Sequence, residues 1–253
     1  MKTSRSILFV LLVFTLLNCS VENNLGRWKL DSESSISPPP FASLVVHISN
    51  LPHLNGYTVG TAIKLPGNRL LTASHLLPEH AFGIKVEQNG VIREGIPTMV
   101  ALIEGQWVEY RVLVGGDRSD IKSNDWVVIE VEGMDLSIPE DIAVEYDFER
   151  EVKPGEIIYL VGYPEGKQEI VETRLVHLPE QLAVVPAGRS LFVEAYTGDV
   201  LHGMSGGAAV LWFPAEHRVV VLGNYRGIRR LEILGIELEG VHEIVRPPTH
   251  ILN

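Results

Sequence analysis

The stretch Gly203-Met204-Ser205-Gly206-Gly207-Ala208-Ala209-Val210-Leu211-Trp212 sets a serine among glycines and follows it with an apolar run. That run reads as a strand, not as a helix. Working outward, the chain from Phe41 onward reads as more short strands rich in Val, Ile and aromatics: Ser43–Ile48, Thr58–Leu65, Phe82–Glu87, Met99–Ile103, Trp107–Val114, Trp126–Val131, Ile157–Val161, Ile170–His177, Leu191–Tyr196 and Val219–Leu222. Turn signals separate them, among them Pro66-Gly67-Asn68, Asn89-Gly90 and Pro164-Glu165-Gly166. Helical periodicity is nearly absent: a short helix after His75 and one near Val241–Val245 are the only candidates. About a dozen short strands predict an all-β domain, a sandwich or barrel or a pair of barrels. Phe148–Gly155, charged and holding Pro154, is the expected crossing between halves.

Composition narrows the class. The 253 residues are 45% hydrophobic and 21% charged, enough to bury a core in one large domain or two halves sharing an interface. A single cysteine excludes an intramolecular disulfide framework and a thiolate zinc cluster. The net charge of −11 argues against non-specific nucleic-acid binding, which needs clustered Lys and Arg. His75 and His80 lie without the H-E-x-x-H helix pattern, and there is no nucleotide loop, so no metal and no cofactor is expected.

The N-terminus reads as a targeting segment. Lys2 and Arg5 precede an apolar run from Ile7 to Leu17, too short to span a bilayer as a helix. This is the pattern of a secretory signal peptide. The run ends in Leu16-Leu17-Asn18-Cys19, which resembles the lipobox of bacterial lipoproteins, although Asn18 departs from the usual small residue. Residues 1–18 are then expected to be removed, Cys19 lipidated, and the chain anchored at the bacterial envelope, facing periplasm or surface; the alternative is a plain secreted protein. Loss of Lys2 and Arg5 would take the net charge from −11 to −13. Residues 19–40, polar and ending in Pro38-Pro39-Pro40, read as a tether, the rival being an arm lying on the domain with Trp28 as its anchor.

Three local patterns carry chemistry. Leu70-Leu71-Thr72-Ala73-Ser74-His75 is a strand ending in a histidine. Ser123-Asn124-Asp125 places an acid just before the apolar strand Trp126-Val127-Val128-Ile129; Asp117 and Asp120 lie close enough to compete for its role. The third is the serine turn. A serine hydroxyl needs a base to become a nucleophile, and backbone N–H groups to receive the oxyanion it creates. Glycines beside the serine permit the backbone angles that aim two N–H groups one way, and Gly203 and Ser205 are the candidate donors. Taken singly, these are a core histidine, a turn aspartate and a glycine-rich turn.

Together they resemble the chymotrypsin-like (trypsin-like) serine peptidases, in the order His, Asp, Ser and at spacings of 50 and 80 residues. The resemblance implies two perpendicular six-stranded β-barrels, the first over about 41–147 and the second over about 155–240, with the site in the cleft between them. It implies Ser205 as nucleophile, His75 as general base then acid, Asp125 as the orienting acid, and protein or peptide substrates. The same glycine turn satisfies the G-x-S-x-G elbow of α/β-hydrolases, which requires the order Ser, acid, His and a helix after the serine. Here a strand follows, and the 48 residues beyond Ser205 contain no Asp, although Glu232 or Glu237 with His242 could be proposed.

Departures refine the expectation. Met204 stands where zymogen-activated relatives carry an Asp that pairs with a freed N-terminal amine, so activation by N-terminal cleavage is not expected. Gly162-Tyr163-Pro164 and Leu222-Gly223-Asn224-Tyr225 resemble segments of HtrA-type peptidases, but too few residues follow for the PDZ domain those usually carry. Asp199, six residues before Ser205, is where the trypsin branch places the acid that selects Lys or Arg; Gly198-Asp199 is equally a good turn pair. His202 could line the same pocket, and Gly223, Asn224 and Tyr225 could pair with an extended substrate or be an ordinary strand end. Two functions remain open: an envelope-tethered serine endopeptidase, or a catalytically silent lipoprotein that binds proteins through the same fold.

Overall fold

Alternation along the strands explains the architecture of the computed structural model. The structure describes residues 27–29, 38–53, 56–88, 91–116, 124–153, 155–175, 190–193, 202–233 and 236–252. Cys19, Asp117, Asp120 and Asp199 lie outside the described residues.

Six strands close the first barrel in the order β2 (Val45–His53), β3 (Gly56–Leu65), β4 (Arg69–Thr72), β9 (Val127–Glu132), β8 (Gln106–Gly115) and β7 (Met99–Ile103). A hairpin of β5 (Ile84–Gln88) and β6 (Val91–Gly95) stands apart from it. The second sheet runs β12 (Glu169–Thr173), β11 (Ile158–Gly162), β14 (Ala208–Phe213), β15 (Arg218–Ile233), β16 (Ile236–Val245) and β13 (Ser190–Val193). An isolated bridge between Leu175, just beyond β12, and Val193 of β13 joins the two ends of this path. The second sheet therefore curls into the partner of the closed barrel, as the two-barrel chymotrypsin-like layout requires. Two further strands flank it: β1 (Arg27–Lys29) pairs with β12, and β10 (Ala143–Tyr146) pairs in parallel with β15.

Both faces of the central strands are buried, and each face serves a different core. Leu70, Val127, Ile129 and Val131 fill the first barrel. Leu160, Ala209, Leu211, Val220 and Leu222 fill the second. Their neighbours one residue along, Leu71, Val128, Val161, Ala208, Val210, Val219 and Val221, point the other way into a third cluster between the sheets. Strands buried on both sides are near-continuously apolar, which is why Val219–Leu222 carries no polar alternation. Phe41 and Phe148 also enter the shared cluster, and Arg69 donates to the carbonyls of Ile251 and Leu252, tying the C-terminal turn to the first barrel.

Three expectations change. The segment near Val241–Val245 is strand β16, not a helix, because it pairs along β15 and β13 and buries Val241, Ile244 and Val245. The helix expected after His75 is reduced to two 3₁₀ turns, Ser74–Leu76 and Glu79–Phe82. The stretch read as a tether contributes β1, with Trp28 paired to Ile170; three residues are too few to display a strand period. In addition, β10 falls within the span assigned to the first barrel yet joins the second sheet, so the chain crosses before Phe148.

Candidate active site

Antiparallel pairing of β4 with β9 puts the end of one strand beside the start of the other, Thr72 opposite Val127. His75 lies three residues beyond Thr72 and Asp125 two before Val127, so the two side chains meet at the same rim. His75 Nδ1 is 2.6 Å from Asp125 Oδ2. Asp125 is 1% exposed, and its other oxygen accepts from the His75 N–H at 2.9 Å and from Ser74 Oγ at 2.8 Å. Burial pushes the Asp125 carboxyl up, but the hydrogen bond and charge of the His75 ring, the Ser74 hydroxyl and the His75 amide outweigh it and hold the group below its ordinary value. A carboxylate only accepts, so Nδ1 carries the proton and the lone pair sits on Nε2. The His75 side chain is 37% exposed and can meet a ligand.

The serine turn is held against that rim from the first barrel. Thr61 N–H donates to Ser205 O at 2.8 Å, and Thr61 Oγ1 donates to Gly203 O at 2.9 Å while accepting from Tyr163 N–H at 2.9 Å. Gly206 packs so closely that a Cβ there would overlap Thr61 O and Thr72 Oγ1 and sit 3.1 Å from Ala73 N. Its φ of +83° also favours glycine. Ser205 is thereby set beside the backbone that leads into His75. Among the described residues, the N–H groups of Gly203 and Ser205 make no hydrogen bond.

One residue touches both ends of this arrangement. The register between β15 and β16 slips between Tyr225 and Gly227, leaving Arg226 as the extra residue of a bulge. Its carbonyl accepts from Ser205 Oγ at 3.2 Å, and its guanidinium Nε lies 3.2 Å from Asp125 Oδ2. The same guanidinium pairs with Glu243 Oε2 at 3.1 Å, and Ser190 Oγ donates to Glu243 Oε1 at 2.9 Å. Asn224 Nδ2 donates to Asp125 O at 3.1 Å from a fully buried position. Tyr225 OH bonds His242 Nδ1 at 2.8 Å, and burial lowers the His242 pKa to about 4.

The structure thus brings His75 and Asp125 into contact, packs Gly206, next to Ser205, against Thr61, Thr72 and Ala73, and turns the Ser205 hydroxyl to the Arg226 carbonyl. His202 is exposed, and its carbonyl accepts from Glu165 N–H. Asn224 and Tyr225 are buried and turn their side chains inward, toward Asp125 and His242. Thr61, Arg226 and Glu243 were not singled out from sequence. Arg226 directly follows Leu222-Gly223-Asn224-Tyr225, and that adjacency is its sequence signal. Nothing in the spacing points to Thr61 or Glu243.

No family model matches the chain, and no curated protein matches it. Solved structures resemble it at low identity. The serine endoprotease from Yersinia pestis aligns with 16% identity and a TM-score of 0.48, over 85% of this chain and 64% of that one. This chain therefore spans less than two thirds of that neighbour. The active form of Rv3671c protease from M. tuberculosis aligns with 16% identity and a TM-score of 0.48 over 86% of this chain and 89% of that one. An inactive form of Rv3671c protease gives 18% identity and a TM-score of 0.47, over 84% and 92%.

Two predictions follow from this geometry. Thr61→Val keeps the shape but strands Tyr163 N–H and Gly203 O; it should cost about 2–3 kcal/mol, read as a lower urea midpoint. An unchanged midpoint would remove Thr61 from its bridging role. The second concerns His242, which the folded state holds neutral down to about 4. As pH falls below the ordinary imidazole range, the unfolded chain takes up that proton first, and stability drains away until about 4. The fall in urea midpoint from pH 7 to pH 5 should be shallower in His242→Gln, and an equal fall in both proteins would contradict it.

Proposed function

We propose that the chain is a serine endopeptidase that cleaves peptide bonds through Ser205, His75 and Asp125. The observation that carries this reading is the buried Asp125 carboxylate bonded to His75 Nδ1 at 2.6 Å, with the serine turn pinned alongside by Thr61. A merely structural histidine has no need of a buried carboxylate on one nitrogen while its ring stays partly exposed.

In the proposed reaction, Ser205 Oγ turns from the Arg226 carbonyl to His75 Nε2, which takes its proton as the oxygen attacks the scissile carbonyl. Asp125 keeps the ring in the Nδ1–H tautomer and offsets the imidazolium charge. The N–H groups of Gly203 and Ser205 receive the oxyanion. His75 then protonates the leaving amine, and water releases the acyl group from Ser205 by the same route. On sequence grounds the chain is exported and held at the bacterial envelope by a lipid on Cys19, which brings protein or peptide substrates of that compartment within reach. His202, at the lip of the serine turn, and Asp199 are the candidates for side-chain selection.

A fluorophosphonate probe should label the folded protein stoichiometrically and fail to label Ser205→Ala. Asp125→Asn should lower kcat/KM by about 10³–10⁴-fold while the protein stays folded. No labelling of folded wild type would leave the protein-binding module as the better reading. Labelling with a palmitate probe in the cell should disappear in Cys19→Ala, and persistence there would refute the anchor.

A further inference from the structure

The charged groups behind the triad form a continuous chain. Asp125 faces Arg226, Arg226 faces Glu243, and Glu243 is held by Ser190. Each belongs to a different element: Asp125 precedes β9, Arg226 sits on β15, Glu243 on β16 and Ser190 on β13. Asp125 and Glu243 are 1% and 4% exposed at the side chain, and Arg226 is 11% exposed, so solvent screens these charges weakly. Arg226 lies two positions beyond Asn224 on β15, on the face that also reaches Asp125, and beside the point where β16 presents Glu243.

We infer that Arg226 is a positioning residue that tunes the basicity of His75. Its guanidinium and the His75 ring both engage Asp125 Oδ2, at 3.2 Å and 2.6 Å. Part of the carboxylate's charge is committed to Arg226, and less is left to support an imidazolium. The arginine cation also opposes a second positive charge a few ångströms away. Glu243 acts in the contrary sense, because it draws the guanidinium's charge toward β16. Among the described residues, the other groups bonded to Asp125, Ser74 and Asn224, are neutral, and His242 is bonded to Tyr225. The backbone of the same residue adds a second effect. Its carbonyl holds the Ser205 hydroxyl, so the bulge fixes the serine's resting direction while its side chain sets the base's strength.

The bland account of Arg226 is a counterion for two buried carboxylates, and it makes no statement about His75. The inference rests on the proposed triad, but its test can be read without catalysis. The titration of His75 is followed by NMR in the full chain with labelled histidine, the resonance being assigned through His75→Gln. Arg226→Gln should raise the His75 midpoint by about one pH unit, and Glu243→Gln should lower it by a similar amount. Arg226→Lys should leave it near the wild-type value. The acid limb of the kcat/KM profile should move with each midpoint. Should Arg226→Gln fail to fold, the Arg226→Gln/Glu243→Gln double variant must still titrate above Glu243→Gln alone. Midpoints that stay in place, or that move in the same direction in the two single variants, overturn the inference even if fluorophosphonate labelling is intact. Midpoints that move as stated in a protein that is never labelled uphold the charge chain and sink only the peptidase reading.

Discussion

Asp125 keeps a negative charge with its side chain almost wholly out of water, a state that costs several kcal/mol unless partners replace the lost hydration. Among the described residues four do: the His75 ring, the His75 amide, the Ser74 hydroxyl and the Arg226 guanidinium. Much of the local structure serves that requirement. The 3₁₀ turn at Ser74–Leu76 aims one N–H and one hydroxyl at the same oxygen. β15 delivers the arginine from the same face that carries Asn224. Asn224, one strand position before Tyr225, holds the Asp125 carbonyl and so fixes where the carboxylate starts. A carboxylate restrained at its backbone and at both oxygens cannot reorient, and the imidazole bonded to it is restrained in turn.

The serine has a different kind of support. It belongs to the second sheet, while His75 and Asp125 belong to the first barrel, so their relative placement depends on how the two sheets dock. The apolar cluster between them gives affinity but little direction. Direction comes from Thr61, whose amide and hydroxyl engage Ser205 O, Gly203 O and Tyr163 N–H across the boundary. Gly206 then allows the turn to press against Thr61 and Thr72, a contact that any side chain would prevent.

The strands were largely legible because most obey a burial rule that operates locally. Runs such as Trp107–Val114 alternate, and runs such as Val219–Leu222 are apolar on both faces, and either pattern marks a strand. The same rule hides β1 and β10. Each is three or four residues long, and each is held by backbone pairing to a distant strand. β16 was misread at Val241–Val245 because its identity as a strand comes from the long pairing with β15, which no local period reveals. His75, Asp125 and Ser205 were legible because their chemistry demands rare residue types next to turns and strand ends. Thr61 and Glu243 were not, since a threonine or a glutamate within a strand is ordinary until a partner from another part of the chain is placed beside it.

Arg226 marks the boundary between these two kinds of information. Its place on β15 follows from local pattern, but its partners do not: Asp125 precedes β9 and Glu243 lies on β16, and only the completed sheets bring both within reach. Had β15 and β16 paired without the slip, side chains would have alternated regularly through Tyr225 and Gly227. Arg226 would then still have stood opposite Glu243 and on the face of Asn224, so the meeting of these groups rests on the strand pairing and not on the extra residue. The pairing of β15 with β16 therefore places an arginine of the second sheet against a carboxylate that a histidine of the first barrel also engages. The same residue's carbonyl accepts from Ser205 Oγ, so its backbone and its side chain reach two different residues of the proposed triad.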